Sequence, residues 1–481
     1  MFDLEYIWQM PTEYYVALLL LFLLSVDAAQ KLTREYWAFP MLAIYGTIFL
    51  WYFIEVPANL PRYQGFPTGI FFLGYLQIVI FLITFRSLVR WATNAMGERG
   101  KPSLAPEFLD AEKAFKVVAV TWVILFAYGA YMANLGVFAA LFPLDARRTW
   151  KFMWMRGALG GTKDFMISIG FYTYLMMCAF MGVLVHLPKP RRVQWCNVSL
   201  MLLSWPYFLL SGTRSNFLGV FTPFVIGYIL LNPKPMVRKM WALLGLLVAL
   251  NAVFALVITY RNFGFGELLG MGPSQEILYV GNDKEYKGHE GLNMFEELCW
   301  INTFQESGSF PSKFGGQYFE EAVNFIPRAF WPNKPLIGID YAVARGFGTN
   351  DPHYKSGVVA TLSLGMVGQG VVNFGMFLGP IVAAFLTAIY VGFLARFNAQ
   401  RHSLLRICLF MAGLGLIPNL GRGISLLVLW PIVFGYVVVR VMEWQAGNKS
   451  PAQQEAEQRK ADEEAAAWKA FGAIAAKGVE I

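Results

Sequence analysis

Runs of about twenty consecutive apolar residues dominate this chain, and they decide what it can fold into. "YYVALLLLFLLSVDAA", "WALLGLLVALNAVFALVITY" and "ISLLVLWPIVFGYVVVRV" each approach the roughly 20 residues that a helix needs to cross a hydrocarbon core. By that measure about eleven runs qualify. The expected fold is therefore all-α, a polytopic transmembrane bundle of about 11 spans with one large outer-face loop containing short helices. Composition agrees, since hydrophobic residues make up 57% of the sequence and charged residues only 15%. The N-terminal "MFDLEYIWQMPTEYY" is acidic where a secretory signal would be basic, so the first run is expected to stay as a span. The division that follows is membrane helices with short loops over 1–260, a large loop over 261–361, C-terminal membrane helices over 362–445 and a polar tail over 446–481. That tail, "NKSPAQQEAEQRKADEEAAAWKAF", reads as a loose polar helix or disorder.

Lys and Arg in short loops mark the cytoplasmic side. They cluster at Lys31 and Arg34, at Arg86 to Lys116, at Pro188 to Arg192, at Asn232 to Lys239 and at Ala395 to Arg406. Every second connection is then cytoplasmic. An odd number of spans puts the N-terminus outside, the polar tail inside, and the long 261–361 connection on the outer face. A loop of that length is commonly a lid or a substrate surface. Its apolar stretches "FEELCWINTF" and "GGQYFEEAVNF" predict short helices lying over the membrane surface.

The residue inventory sets several chemistries aside. Of four cysteines, Cys178, Cys196 and Cys408 fall in apolar runs and Cys299 stands alone in the loop, so neither a disulfide nor a zinc cluster is expected there. No HExxH, P-loop or dinucleotide fingerprint occurs. No Asp-x-Asp pair is present to hold a divalent metal on a nucleotide sugar.

The unusual feature is a set of cations on the expected outer side: Arg147, Arg148, Lys151, Arg156, Lys163, Arg214, Arg261, Arg328, Lys334, Arg345 and Arg422. Taken singly, each can be a side chain reaching for headgroups. Taken together they point to an anion, because a planar guanidinium matches phosphate with two parallel hydrogen bonds. Arg214 in "LLSGTRSNFLG" and Arg422 in "NLGRGISLL" sit at run ends beside glycines that allow close approach. "NFIPRAFWPNKP" holds Arg328 and Lys334 between Pro327, Pro332 and Pro335, a stiff cationic stretch with little entropy to lose on binding. The bland reading of that stretch is a proline-rich turn. That of "GMFLG" (Gly375 to Gly379) is a close helix-packing face.

"IPRAFWPNKP", followed by "SGVVATLSLGMVGQGVVNFGMFLGP", resembles the oligosaccharide repeat-unit polymerases that include the O-antigen polymerases. In that family an I-P-R-x-x-x-P-x-K-P segment precedes a small-residue stretch ending in N-F-G-x-x-G. Asn373, Phe374 and Gly375 match it, and Gly379 falls one residue later. "SGTRSNFLG" resembles the family's G-x-R element and Gly421 to Gly423 its late arginine. Arg261 to Gly272 fits an Arg-x₁₀-Gly spacing, while an acidic residue usual before the small-residue run is replaced by Asp351 and His353.

The resemblance implies an inverting, metal-independent membrane glycosyltransferase of the bacterial inner membrane, needing no cofactor. The donor would be a glycan on undecaprenyl pyrophosphate and the acceptor a lipid-linked repeat unit. The product would be a lengthened O-antigen, capsule or exopolysaccharide. Partners would be the lipid bilayer and chain-length regulator and flippase proteins, with no nucleic acid. The pyrophosphate would meet Arg214, Arg261, Arg328, Lys334, Arg345, Arg422, Arg147, Arg148 and Arg156. The acceptor proton would go to His353, Asp351 or Glu321. An O-antigen ligase uses the same donor. A transporter or flippase of lipid-linked sugars would instead carry discontinuous spans in inverted repeats and acidic residues at mid-membrane.

Overall fold

The computed structural model describes residues 8–32, 38–97, 111–144, 153–154, 161–211, 214–231, 293–323, 339–346, 362–399, 404–423, 426–447 and 458–466, with scattered positions between 238 and 253 and between 326 and 335. Among them every regular element is a helix. In chain order these are α1 (Thr12–Leu32), α2 (Ala38–Tyr52), α3 (Leu60–Tyr63), α4 (Ile70–Gly97), α5 (Ala111–Ala133), α6 (Val137–Leu141), α7 (Gly161–Leu184), α8 (Arg191–Leu210) and α9 (Arg214–Leu231). They continue with α10 (Met294–Glu306), α11 (Gly316–Val323), α12 (Ile339–Ala344), α13 (Met366–Ala399), α14 (Leu404–Leu420) and α15 (Leu426–Gly447). A further short exposed helix lies in the polar tail, at 458–466.

Six helical stretches among the described residues are long and apolar enough to cross a membrane: Thr12–Lys31, Ala38–Tyr63, Ile70–Met96, Ala111–Ala133, Met166–Leu184 and Met366–Phe397. Asn216–Leu231 and Leu404–Leu420 are shorter apolar helices. α14 is the central post, packed against α2, α7, α9, α13 and α15, and nearly all of its side chains are buried. α7 is enclosed in a similar way, whereas α1 and α5 turn Val16, Leu19, Phe22, Val120 and Ile124 outward. A lipid-facing rim around a dry centre is the arrangement expected where the solvent is itself apolar. Where helices approach most closely, glycine makes the room: Trp154 rests on Gly129 of α5 and Gly170 of α7, and a Cβ at either would lie 2.8 or 2.6 Å from its ring.

α13 is one helix only in name. A straight helix of its 34 residues would be about 51 Å long, far beyond a core of roughly 30 Å. At Gly375 the backbone takes φ 80° and ψ 178°, and the chain reverses. The short arm, 366–374, folds back on the long arm, 376–399, so tightly that a Cβ on Gly370 would lie 2.2 Å from the Gly379 carbonyl oxygen. The long arm spans roughly 36 Å and runs beside α4, where Gly392 meets Ala92. The "GMFLG" stretch is thus a packing face and a chain reversal at once.

The 261–361 region supplies α10, α11 and α12. α10 does not lie over a surface as "FEELCWINTF" predicts. It is wedged against α4 and α13, with Phe295 stacked on Tyr75 at 4.1 Å and Asn302 exchanging hydrogen bonds with Gln77 of α4 at 2.8 and 2.9 Å. Its polar residues have partners inside the bundle, and this lets the helix bury both faces.

Candidate functional site

The reversal at Gly375 builds the most polar junction among the described residues that carry the sequence motifs. The short arm ends with open carbonyls, as every helix does. Gln305 Nε2 donates to the Val371 carbonyl at 2.9 Å, and the backbone N–H groups of Lys313 and Gly315 donate to those of Val372 and Asn373 at 2.8 and 3.1 Å. The Asn373 side chain serves a second helix. Its Oδ1 accepts from the first free N–H groups of α11, Gln317 at 3.0 Å and Tyr318 at 3.3 Å, while its Nδ2 donates to the Gln369 carbonyl at 2.8 Å. A buried asparagine therefore caps α11 from across the fold.

That cap sets the register of α11 and brings Glu321 to Gln369. Gln369 Nε2 donates to Glu321 Oε1 at 3.3 Å. The other end of the same amide faces Gly423, where a Cβ would lie 3.4 Å from Gln369 Oε1 and φ is 153°. Gly423 follows Arg422, whose carbonyl accepts from Gly365 N–H at 3.0 Å and whose exposed guanidinium donates through Nε to Ser363 Oγ at 3.0 Å. Gly365 has φ 73°, and a Cβ there would sit 2.4 Å from the Tyr52 hydroxyl. That hydroxyl in turn accepts the Val367 N–H at 3.1 Å, at the start of the short arm. Trp51 ties α2 to the same turn by donating to the Pro418 carbonyl at 2.8 Å.

Tyr318 completes the junction. Its hydroxyl is buried with no partner among the described residues, and its ring lies 6.3 Å from that of Phe374. Burial raises its pKa, with the Glu321 charge and the Tyr52 hydroxyl acting in the same direction. Two positions further along α11, burial also raises the Glu320 carboxyl, opposed by Lys313. Lys313 itself is held by Asp340 of α12 at 2.6 Å.

Of the residues expected from sequence, Glu321 meets Gln369 of the short arm, and Arg422 lies in the turn whose Gly423 faces the same amide. Arg345 has different company. Its guanidinium donates twice to Glu297 of α10, at 3.1 Å each, lies 4.4 Å over the Trp300 ring, and shares that carboxylate with the Tyr341 hydroxyl. Arg214 opens α9. Arg147, Arg148, Arg156, Arg261, Arg328, Lys334, Asp351 and His353 lie outside the described residues, as do Pro327 and Pro332.

Gln369, Tyr318, Tyr52 and Ser363 are additions that sequence reasoning missed. For Gln369 a signal existed, a single amide in the apolar small-residue run "MVGQGVV", since a polar side chain in such a run usually has a task. Among the described residues no group of three or more His, Cys, Asp or Glu converges.

No protein-family model matches the chain, and no curated protein or solved structure shows significant similarity to it. Fold and composition define an all-helical integral membrane protein with a polar junction at one end of its bundle.

Proposed function

We propose that the chain is a membrane glycosyltransferase that lengthens a glycan carried on a polyprenyl pyrophosphate, at the outer face of a bacterial inner membrane. One observation carries this reading: a carboxylate, an amide and an exposed guanidinium, from three distant chain segments, share one junction, and two of those segments hold the motifs that resemble repeat-unit polymerases. In this reading the bundle has about eleven spans by apolar length, with the N-terminus outside.

Arg422, joined by Arg214, Arg328 and the other outer cations, neutralises the pyrophosphate as it leaves. The acceptor hydroxyl attacks the anomeric carbon from the opposite face. Its oxygen forms the new glycosidic bond, the bond to the pyrophosphate oxygen breaks with its electron pair, and configuration inverts. Glu321 takes the acceptor proton, held in place by Gln369, with His353 and Asp351 as the other candidates for that task. No metal is needed where guanidinium groups supply the positive charge.

A second reading draws on the break at Gly375, because discontinuous helices also mark transporters. Purified protein in nanodiscs or liposomes, given lipid-linked repeat units, separates the two. Polymer that is lost in Arg422→Ala and Glu321→Gln supports the transferase. Unchanged repeats moved across the bilayer by wild type would replace it with a transporter, and transfer only to a different lipid acceptor with a ligase.

A further inference from the structure

α11 is built inside out. In a water-soluble protein a surface helix turns its apolar stripe to the core and its polar stripe outward. Here Gln317 is buried and Glu320 and Glu321 turn inward, toward Lys313 and Gln369, while Phe319 is 54% exposed and Ala322, one turn on, is exposed beside it. The flanking segment repeats the pattern. Phe330 is 76% exposed and Phe314 86% exposed, and Phe319 meets Trp331 edge on at 6.3 Å.

Phe314 adds an independent observation. It holds φ 47°, a conformation that bulky side chains rarely adopt, although the next two positions are glycines. With this backbone its ring stands exposed. Strain retained at an exposed aromatic residue is a pointer to use.

The structure also shows what lies beside this surface. Residues 313–315 hydrogen-bond to the end of the short arm of α13, and just past the Gly375 reversal Phe377 and Leu378 begin the outward stripe of the long arm, 63% and 53% exposed. That stripe continues through Ile381, Phe385 and Phe393 along a membrane-spanning segment. The aromatic surface of α11 is thus continuous with a face that meets lipid. Exposed Asp340, bonded to Lys313, lies on its polar side, so it straddles the change from apolar to polar surroundings.

We infer that Phe314, Phe319, Phe330 and Trp331 form an interfacial anchor, inserted among the headgroups and upper acyl chains of the bilayer. Aromatic rings favour that depth, with the apolar body in lipid and polar neighbours in water. Its occupant is lipid, and the inference stands whether or not the chain transfers sugars.

The test uses the full chain in nanodiscs, with Cys196→Ser removing the exposed cysteine. Spin labels are placed singly at Phe314→Cys, Phe319→Cys and Phe330→Cys, with Ser309→Cys as the aqueous reference. The anchor requires oxygen to collide with the three labels more than a water-soluble nickel chelate does, with the opposite order at 309. Labels that match position 309 overturn it, and so do labels shielded from both reagents, which would mean a protein cover. Unsubstituted protein provides the second measurement. In bilayers containing a lipid with a diazirine near the glycerol, illumination should leave adducts on the peptides covering 314–331, and clean peptides there overturn the anchor.

Discussion

Glu321 and Gln369 stand 48 residues apart in the chain, and the proposed chemistry depends on their meeting. Glu321→Gln keeps the shape of the side chain but cannot accept a proton. Turnover should fall by about 10² or more, the usual contribution of a placed base, while the amount of folded protein holds. Near-normal turnover would move the role to His353 or Asp351. Asn373→Ala removes the acceptor shared by a buried and a half-buried N–H group of α11 and should lower stability by about 1–3 kcal/mol, read as a drop in melting temperature. A third residue reports on pH. His186 Nε2 faces the Phe224 carbonyl at 2.9 Å, and a carbonyl only accepts, so Nε2 carries the proton. Burial depresses its pKa to about 4, with that hydrogen bond opposing and Lys189 adding to the shift. The folded ring stays neutral where the unfolded one gains a proton. Stability should therefore decline as pH falls from about 6.5 toward 4, and His186→Gln should remove that part of the decline in a thermal scan. The sequence showed Glu321 and Arg422 as candidates, since each carries its chemistry in its side chain. It hid Tyr318 and Tyr52, because a tyrosine in an apolar run looks like packing until its hydroxyl is seen in place.

Among the elements, α13 is where apolar length misleads most. Hydropathy reports how much chain can sit in lipid, and not whether the chain turns within it, so one apolar run conceals two arms. The glycines that permit the turn are visible in the sequence, but their partners are not, because Gly370 and Gly379 meet only after the reversal. Gly379→Val would place a side chain on the Gly370 backbone, where a Cβ already comes within 2.5 Å. Size-exclusion profiles should show loss of the folded form. α14 and α15 offer a contrasting case at their far ends. Arg406 and Glu443 are buried and joined by two hydrogen bonds of 2.6 Å, with Arg440 at 3.5 Å. Removing Glu443 leaves the buried Arg406 charge without a partner among the described residues, so Glu443→Leu should cost about 3–5 kcal/mol. Arg406→Met with Glu443→Leu should recover most of the loss, as measured by melting temperature across the double-mutant cycle.

For the whole molecule, the bundle was legible as a class because membrane crossing imposes a length and a composition that no soluble fold shares. The placement of α10 was not, since its apolar face fits a membrane surface as well as a groove between α4 and α13. Sidedness can be measured directly. In the Cys196→Ser background, Ser309→Cys should react with an impermeant thiol reagent from outside, and Asp462→Cys only after permeabilisation. Reversed labelling would put the polar junction on the cytoplasmic side and end the proposed mechanism. Assembly order follows from the turn at Gly375. The groups that close it, the Gln305 amide and the N–H groups of Lys313 and Gly315, precede the short arm in the chain, and so does the helix that Asn373 caps. As the ribosome delivers residues 366–379, those partners have already been synthesised, and the reversal can form by local folding. The contacts to Pro418, Arg422 and Gly423 wait for the last helices, so the polar junction closes as one of the final events in the maturation of the protein.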